Sequence, residues 1–127
     1  MGGTKSDPFL EILMPDHKKL KTQTIENTLN PMWKKNFTHP IELDSFQLEP
    51  IQVSIYDYDS VGTNDKIGYV ELDISECVTK NNTWAINNIY DVGAPSPAKA
   101  KKEPKKKWGQ VYLQVKFLKE GDQDDGV

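Results

Sequence analysis

Ile51, Val53 and Ile55 alternate with Gln52, Ser54 and Tyr56, and this two-residue period recurs along the chain. Val70, Leu72 and Ile74 alternate with Tyr69, Glu71 and Asp73, and Val111, Leu113, Val115 and Phe117 alternate with Gln110, Tyr112, Gln114 and Lys116. Successive side chains of an extended strand point to opposite faces, so each run offers one face to a core and one to water. Further strands are predicted at about 9–14, 21–26, 33–41 and 84–91, with Pro, Gly, Asn and Asp clusters between them. That makes seven. No segment sustains a 3.6-residue apolar stripe, although 75–80 suits a helical turn. The pattern predicts an all-β fold, an antiparallel Greek-key β-sandwich.

The 127 residues fit one domain, and a domain of this size buries enough surface to need no disulfide. The lone cysteine, Cys77, has no partner within the chain, which favours a reducing compartment. No apolar run approaches the roughly 18 residues of a membrane span, and residues 1–15 lack the apolar core of a signal peptide. A soluble cytoplasmic protein is expected. All 16 basic residues are lysine, and six of them fall between Lys99 and Lys107. Glu120, Asp122, Asp124 and Asp125 form an acidic tail whose charge exceeds the net −3 of the whole chain. Charges segregated in this way favour docking on charged surfaces. Residues 93–107, GAPSPAKAKKEPKKK, read as a flexible loop between the last two strands. The domain is expected to span 1–118, with 119–127 as a frayed acidic tail.

The segment IYDYDSVGTNDKIG, residues 55–68, carries the most chemistry. Asp57 and Asp59 stand two apart at the end of an apolar strand and so share a face. The five residues that follow include Gly62 and allow the chain to return Asp65 to the same place. Like charges about 4 Å apart repel by roughly 4 kcal/mol at an effective dielectric near 20. Three gathered carboxylates therefore favour either protonation or a hard cation between them. Calcium, which takes oxygen ligands in a flexible shell, suits such a set; zinc prefers nitrogen and sulfur. The competing reading is a solvated hairpin loop, where Asp and Asn serve the turn. An EF-hand is excluded, because its position five would be Val61 and its position twelve Gly68. No nucleophile–base pair or phosphate-cradling glycine loop is present, so no enzyme activity is expected. Trp33, Trp84 and Trp108 read as core anchors.

Four blocks and a closing strand resemble the C2-domain family, most closely its synaptotagmin-like members. MGGTKSDPF resembles the family's first calcium-binding loop, PDHKKLKTQT its lysine-rich turn and strand, and TLNPMW its TLNP turn. YDYDSVGTNDKIG matches its third calcium-binding loop, and WGQVYLQVKFL looks like its final strand. The resemblance implies an eight-stranded sandwich with calcium held by Asp7, Asp57, Asp59 and Asp65 and by the backbone carbonyl of Tyr58. It departs from the family in one respect. Another aspartate, and the strand that carries it, would precede Met1, so that strand is missing or supplied elsewhere.

The resemblance further implies a calcium-dependent module that docks on anionic phospholipid, such as phosphatidylserine or inositol phospholipids, and is peripheral to the membrane when calcium-bound. Met1 and Val61 would lie at the loop tips against the headgroups, or be ordinary loop residues. Lys18, Lys19 and Lys21 match part of the family's polybasic strand, and Lys34 and Lys35 extend it; a solvated strand edge explains them equally well. For the lysine loop three readings stand: a solvated loop, a general attraction to acidic lipid, or a nuclear-localisation or nucleic-acid patch. The absence of an aromatic series within it disfavours a specific nucleic-acid partner. Met1, Gly2 and Ser6 fit an N-myristoylation pattern, or belong to an internal loop. The alternatives to calcium-dependent targeting are a calcium-independent protein-interaction module and a targeting fragment of a larger signalling enzyme. A monomer is expected.

Overall fold

The alternating runs become six antiparallel strands in a computed structural model, which describes residues 6–28, 31–33, 36–40, 49–59, 61–75 and 86–118. They are β1 (Pro8–Leu13), β2 (Lys19–Lys21), β3 (Ile51–Asp57), β4 (Asp65–Leu72), β5 (Ile86–Asp91) and β6 (Gln110–Val115). A four-stranded sheet has the order β2-β1-β3-β4, and β5 pairs with β6 in a second sheet. The inner faces meet in a core of Leu10, Ile51, Val53, Val70, Leu72, Ile74 and Val92, against which Ile86, Tyr90, Trp108, Val111, Leu113 and Val115 pack. The chain is thus an all-β antiparallel sandwich.

Two expected elements differ. The strand foreseen at 21–26 is cut to Lys19–Lys21 because a side chain replaces the ladder: Thr22 Oγ1 accepts the Leu10 N–H at 2.9 Å and donates to the Gln23 carbonyl. Backbone bonds from Thr22 to Leu10 and from Ile25 to Pro8 still hold that segment beside β1. In the run 33–41, Trp33 and residues 36–40 carry no strand, and 34, 35 and 41 lie outside the described residues. So do Trp84, most of the turn expected at 75–80 and the 119–127 tail.

The β1–β2 connection is a tight turn. Pro15 supplies a preset φ, Met14 and Lys18 close the ladder at 2.8 Å, and His17 takes a left-handed φ of 67°. Asp16 then bonds His39 at 2.8 Å, tying the turn to residues 36–40. Burial pushes the Asp16 carboxyl up, but the His39 hydrogen bond and the Lys18 N–H outweigh it and hold it below its ordinary 3.8.

Candidate metal and membrane site

The central hairpin sets the site. β3 and β4 run in register from Ile51↔Leu72 to Ile55↔Gly68, then shift so that Tyr56 faces Lys66 and Asp57 faces Asp65. Ile67 is the extra residue of this bulge, which re-aims the end of β4. Without it Asp57 would not stand opposite Asp65. Directly opposed residues of a ladder share a face with Cβ atoms about 4.5–5.5 Å apart, and like charges there are destabilising. On the other side of β3, Pro8 pairs with Asp57, which brings Asp7 to the same end. One residue inward, Phe9 and Tyr56 stack with ring centroids 5.5 Å apart and give this end a firm apolar floor.

Each acid is tied locally. Asp57 Oδ1 accepts the Asp7 N–H at 2.9 Å. Asp7 Oδ1 accepts the Asn27 N–H at 2.6 Å, and the Asp7 carbonyl accepts the Tyr58 N–H at 2.9 Å. Asp59 Oδ1 accepts the Val61 N–H at 2.9 Å, while the Asp59 N–H donates to Asn64 Oδ1 at 2.7 Å. Gly62, at φ 96°, lets the hairpin turn between these groups. The structure therefore joins Asp7 to Asp57 directly and Asp57 to Asp65 by register, and it folds Asp59 into its own loop. Among the described residues no three acidic, histidine or cysteine side chains close around one point. The donor set is nevertheless all oxygen. The Oδ2 atoms of Asp7, Asp57 and Asp59 and both oxygens of Asp65 make no hydrogen bond among the described residues. That chemistry fits a hard, oxygen-seeking cation. Asn27 and Asn64, which orient the two loops, were missed in the sequence because nothing but their fold partners marks them.

The lysines foreseen on the strand are partly neutralised. Lys19 and Lys21 reach the two oxygens of Glu11 at 3.5 and 3.8 Å. Lys21 also lies over the Phe9 ring and lines a shallow cleft of about 200 Å³ with Thr22, Thr24, Tyr58 and Asn64. Lys18 is exposed and hydrogen-bonded through its backbone to Asp16. Val61 is 81 % exposed and Tyr58 48 %, so both stand out at the acidic end. Met1, Gly2, Lys34 and Lys35 lie outside the described residues.

The stretch expected as a flexible loop contains a helix, α1 (Pro97–Lys102). Ser96 caps it, accepting the Lys99 N–H at 3.2 Å, Pro97 occupies the first turn, and the Glu103 N–H closes on the Lys99 carbonyl. This Ser-Pro start with following alanines is a helix signature that the bulk composition of the stretch obscured.

The structure is an antiparallel sandwich with acids of two loops at one end. The C2 domain profile matches residues 1–90, and the chain belongs to the C2 family. Synaptotagmin-A of Diplobatis ommata is 33 % identical over 87 residues, 65 % of this chain and 20 % of that protein. Human Synaptotagmin-1 is 33 % identical over 87 residues, covering 65 % and 21 %. The chain thus spans about a fifth of the length of these relatives. Among solved structures, a C2 domain of plant Extended Synaptotagmin 1 superposes with a TM-score of 0.64 over 86 % of this chain and 75 % of that one, at 21 % identity. Human GIVD cytosolic phospholipase A2 gives 0.52 over 68 % of this chain and 12 % of that one, at 26 % identity.

Proposed function

We propose that the chain is a calcium-dependent module that brings its parent protein to anionic phospholipid. The observation that carries this is the Asp57↔Asp65 pair: a bulge sets two carboxylates opposite each other at a strand end, with Asp7 bonded beside them. A structural turn has no use for opposed like charges, whereas an ion site depends on them. Asp7, Asp57, Asp59, Asp65 and the Tyr58 carbonyl would hold the ion. Bound calcium supplies open coordination positions for lipid phosphate or carboxylate oxygens. Without it, the acids repel an anionic leaflet. The backbone N–H bonds to Asp7, Asp57 and Asp59 fix each carboxylate through one oxygen, and the other oxygen would be available to an ion. Val61 and Tyr58 then reach the headgroup layer, and Lys18, Lys19 and Lys21 add a weaker attraction at the sheet edge. The module is peripheral to the membrane and acts as a monomer.

Sedimentation with phosphatidylserine-containing vesicles, with and without calcium, tests this. Wild-type chain should pellet with calcium, and an Asp57→Asn, Asp59→Asn variant should lose that response. Pelleting that ignores both calcium and the substitutions would refute the reading and favour the calcium-independent interaction module.

A further inference from the structure

The lysines of the β5–β6 connection form a cationic surface separate from the strand lysines. Lys99, Lys101, Lys102, Lys105, Lys106 and Lys107 are all exposed. Glu103, the only acid between them, reaches Lys106 at 3.9 Å. The other five make no ion pair among the described residues, in contrast to Lys19 and Lys21, which share Glu11.

Nothing in the packing explains this charge. α1 buries no residue, and Lys99 and Lys102, one turn apart, repel each other. The segment is fixed at its far end, where Lys106 lies 4.2 Å over the Trp108 ring and Trp108 packs on the core. Its position in the fold is set by two contacts. Gly93 and Tyr69 exchange backbone bonds of 2.8 and 3.2 Å in an antiparallel bridge, and the Val92 N–H donates to the Gly109 carbonyl at 2.8 Å. At Gly93 the chain therefore runs against β4, away from Leu72 and toward Asp65. The lysine connection leaves the sandwich, and returns to it, on the side that leads to the acidic end.

We infer that residues 99–107 form a calcium-independent contact for an anionic bilayer, flanking the acidic loops. The choice of a bilayer rests on the proposed function, which makes this end the membrane-facing one. It is supported by the exposed apolar side chains of Val61 and Tyr58 at the same end. It is also supported within the lysine connection itself, whose one aromatic residue, Trp108, is already covered by Lys106. A leaflet neutralises the Lys99–Lys102 repulsion and so stabilises α1. The lysines would hold the chain loosely at the surface before the aspartates engage.

The test is binding of the full chain to mixed phosphatidylcholine–phosphatidylserine vesicles in a calcium chelator. One lysine near an anionic leaflet is worth about fivefold in affinity, so replacing all six by Gln should weaken calcium-free binding at least tenfold. Replacing all six by Arg should preserve it. Wild-type binding should fall as salt is raised. The Asp57→Asn, Asp59→Asn variant, which lacks two of the acids that repel the leaflet, should bind at least as well as wild type without calcium while losing the calcium response, which separates this inference from the function above. Three results would overturn it: no calcium-free binding by wild type, equal binding by the Gln variant, or a Gln variant that loses affinity for a duplex RNA probe while its vesicle binding is unchanged.

Discussion

Two hairpins point charge toward the same end of the sandwich and hold it in opposite ways. In β3–β4 the charge is negative and fixed by the ladder: Asp57 and Asp65 face each other at the end of strands whose inward residues, Ile51, Val53, Val70 and Leu72, are buried. In β5–β6 it is positive and carried by a six-residue helix that buries nothing and by the three lysines that follow it. Charge locked in register can shape a site for one ion. Charge on a helix that buries no residue creates a field that any anionic surface feels. Gly68 lies at the seam between the hairpins, where a Cβ would come within 2.4 Å of Val92 Cγ1 and 2.6 Å of the Gly93 carbonyl oxygen.

The largest effect that would sharpen this contrast is calcium loading. At a hundred times its dissociation constant, an ion that binds only the folded chain stabilises it by about 2.7 kcal/mol. Thermal unfolding should therefore shift upward with calcium in the wild type and not in Asp57→Asn, Asp59→Asn; equal shifts in both would mean that the acidic hairpin does not hold the ion. Next comes the seam. Gly68→Ala forces Val92 and the Gly93 backbone to move, and by comparison with overpacked cores should cost about 1–3 kcal/mol in urea unfolding. No loss would mean that the two hairpins do not meet as closely as the structure places them.

Asp65→Asn has a smaller effect of opposite sign. Without calcium it relieves the cross-strand repulsion and should raise stability by about 0.2–1 kcal/mol, while weakening calcium binding. A destabilised ion-free variant would contradict the opposed pair. The smallest effect concerns a paired acid, Asp16, on the β1–β2 turn. Its folded value lies below 3.8, so its contribution is present above that pH and lost as pH falls through the folded value. The stability gap between wild type and Asp16→Asn should be present at neutral pH and close below pH 3.8. A gap independent of acid pH would show that the His39 bond does not act through the carboxylate charge.

Most strands were legible because alternation marks a face regardless of partner. Ile51 to Ile55 and Val111 to Phe117 needed no further information. The failures share a cause, which is local chemistry competing with pattern. Thr22 ended β2 early by lending its hydroxyl to the Leu10 N–H. Ser96 and Pro97 nucleated α1 inside a stretch whose lysines and prolines read as a loop. The same limit applies at the site: Asp57, Asp59 and Asp65 were visible from their spacing, but Asn27 and Asn64 act through bonds to residues 20 and 5 positions away.

The sequence by itself determined the all-β class and the grouping of Asp57, Asp59 and Asp65, because a two-residue period and a short spacing are properties of one strand and its turn, and its blocks carried the resemblance to the C2 family. Only the tertiary structure decided that Asp57 faces Asp65, that Glu11 partly neutralises Lys19 and Lys21, and that the lysine connection leaves toward the acidic end. Register, bulges and inter-sheet bridges join residues far apart in the chain, and a one-residue shift at Ile67 is enough to change which charges meet.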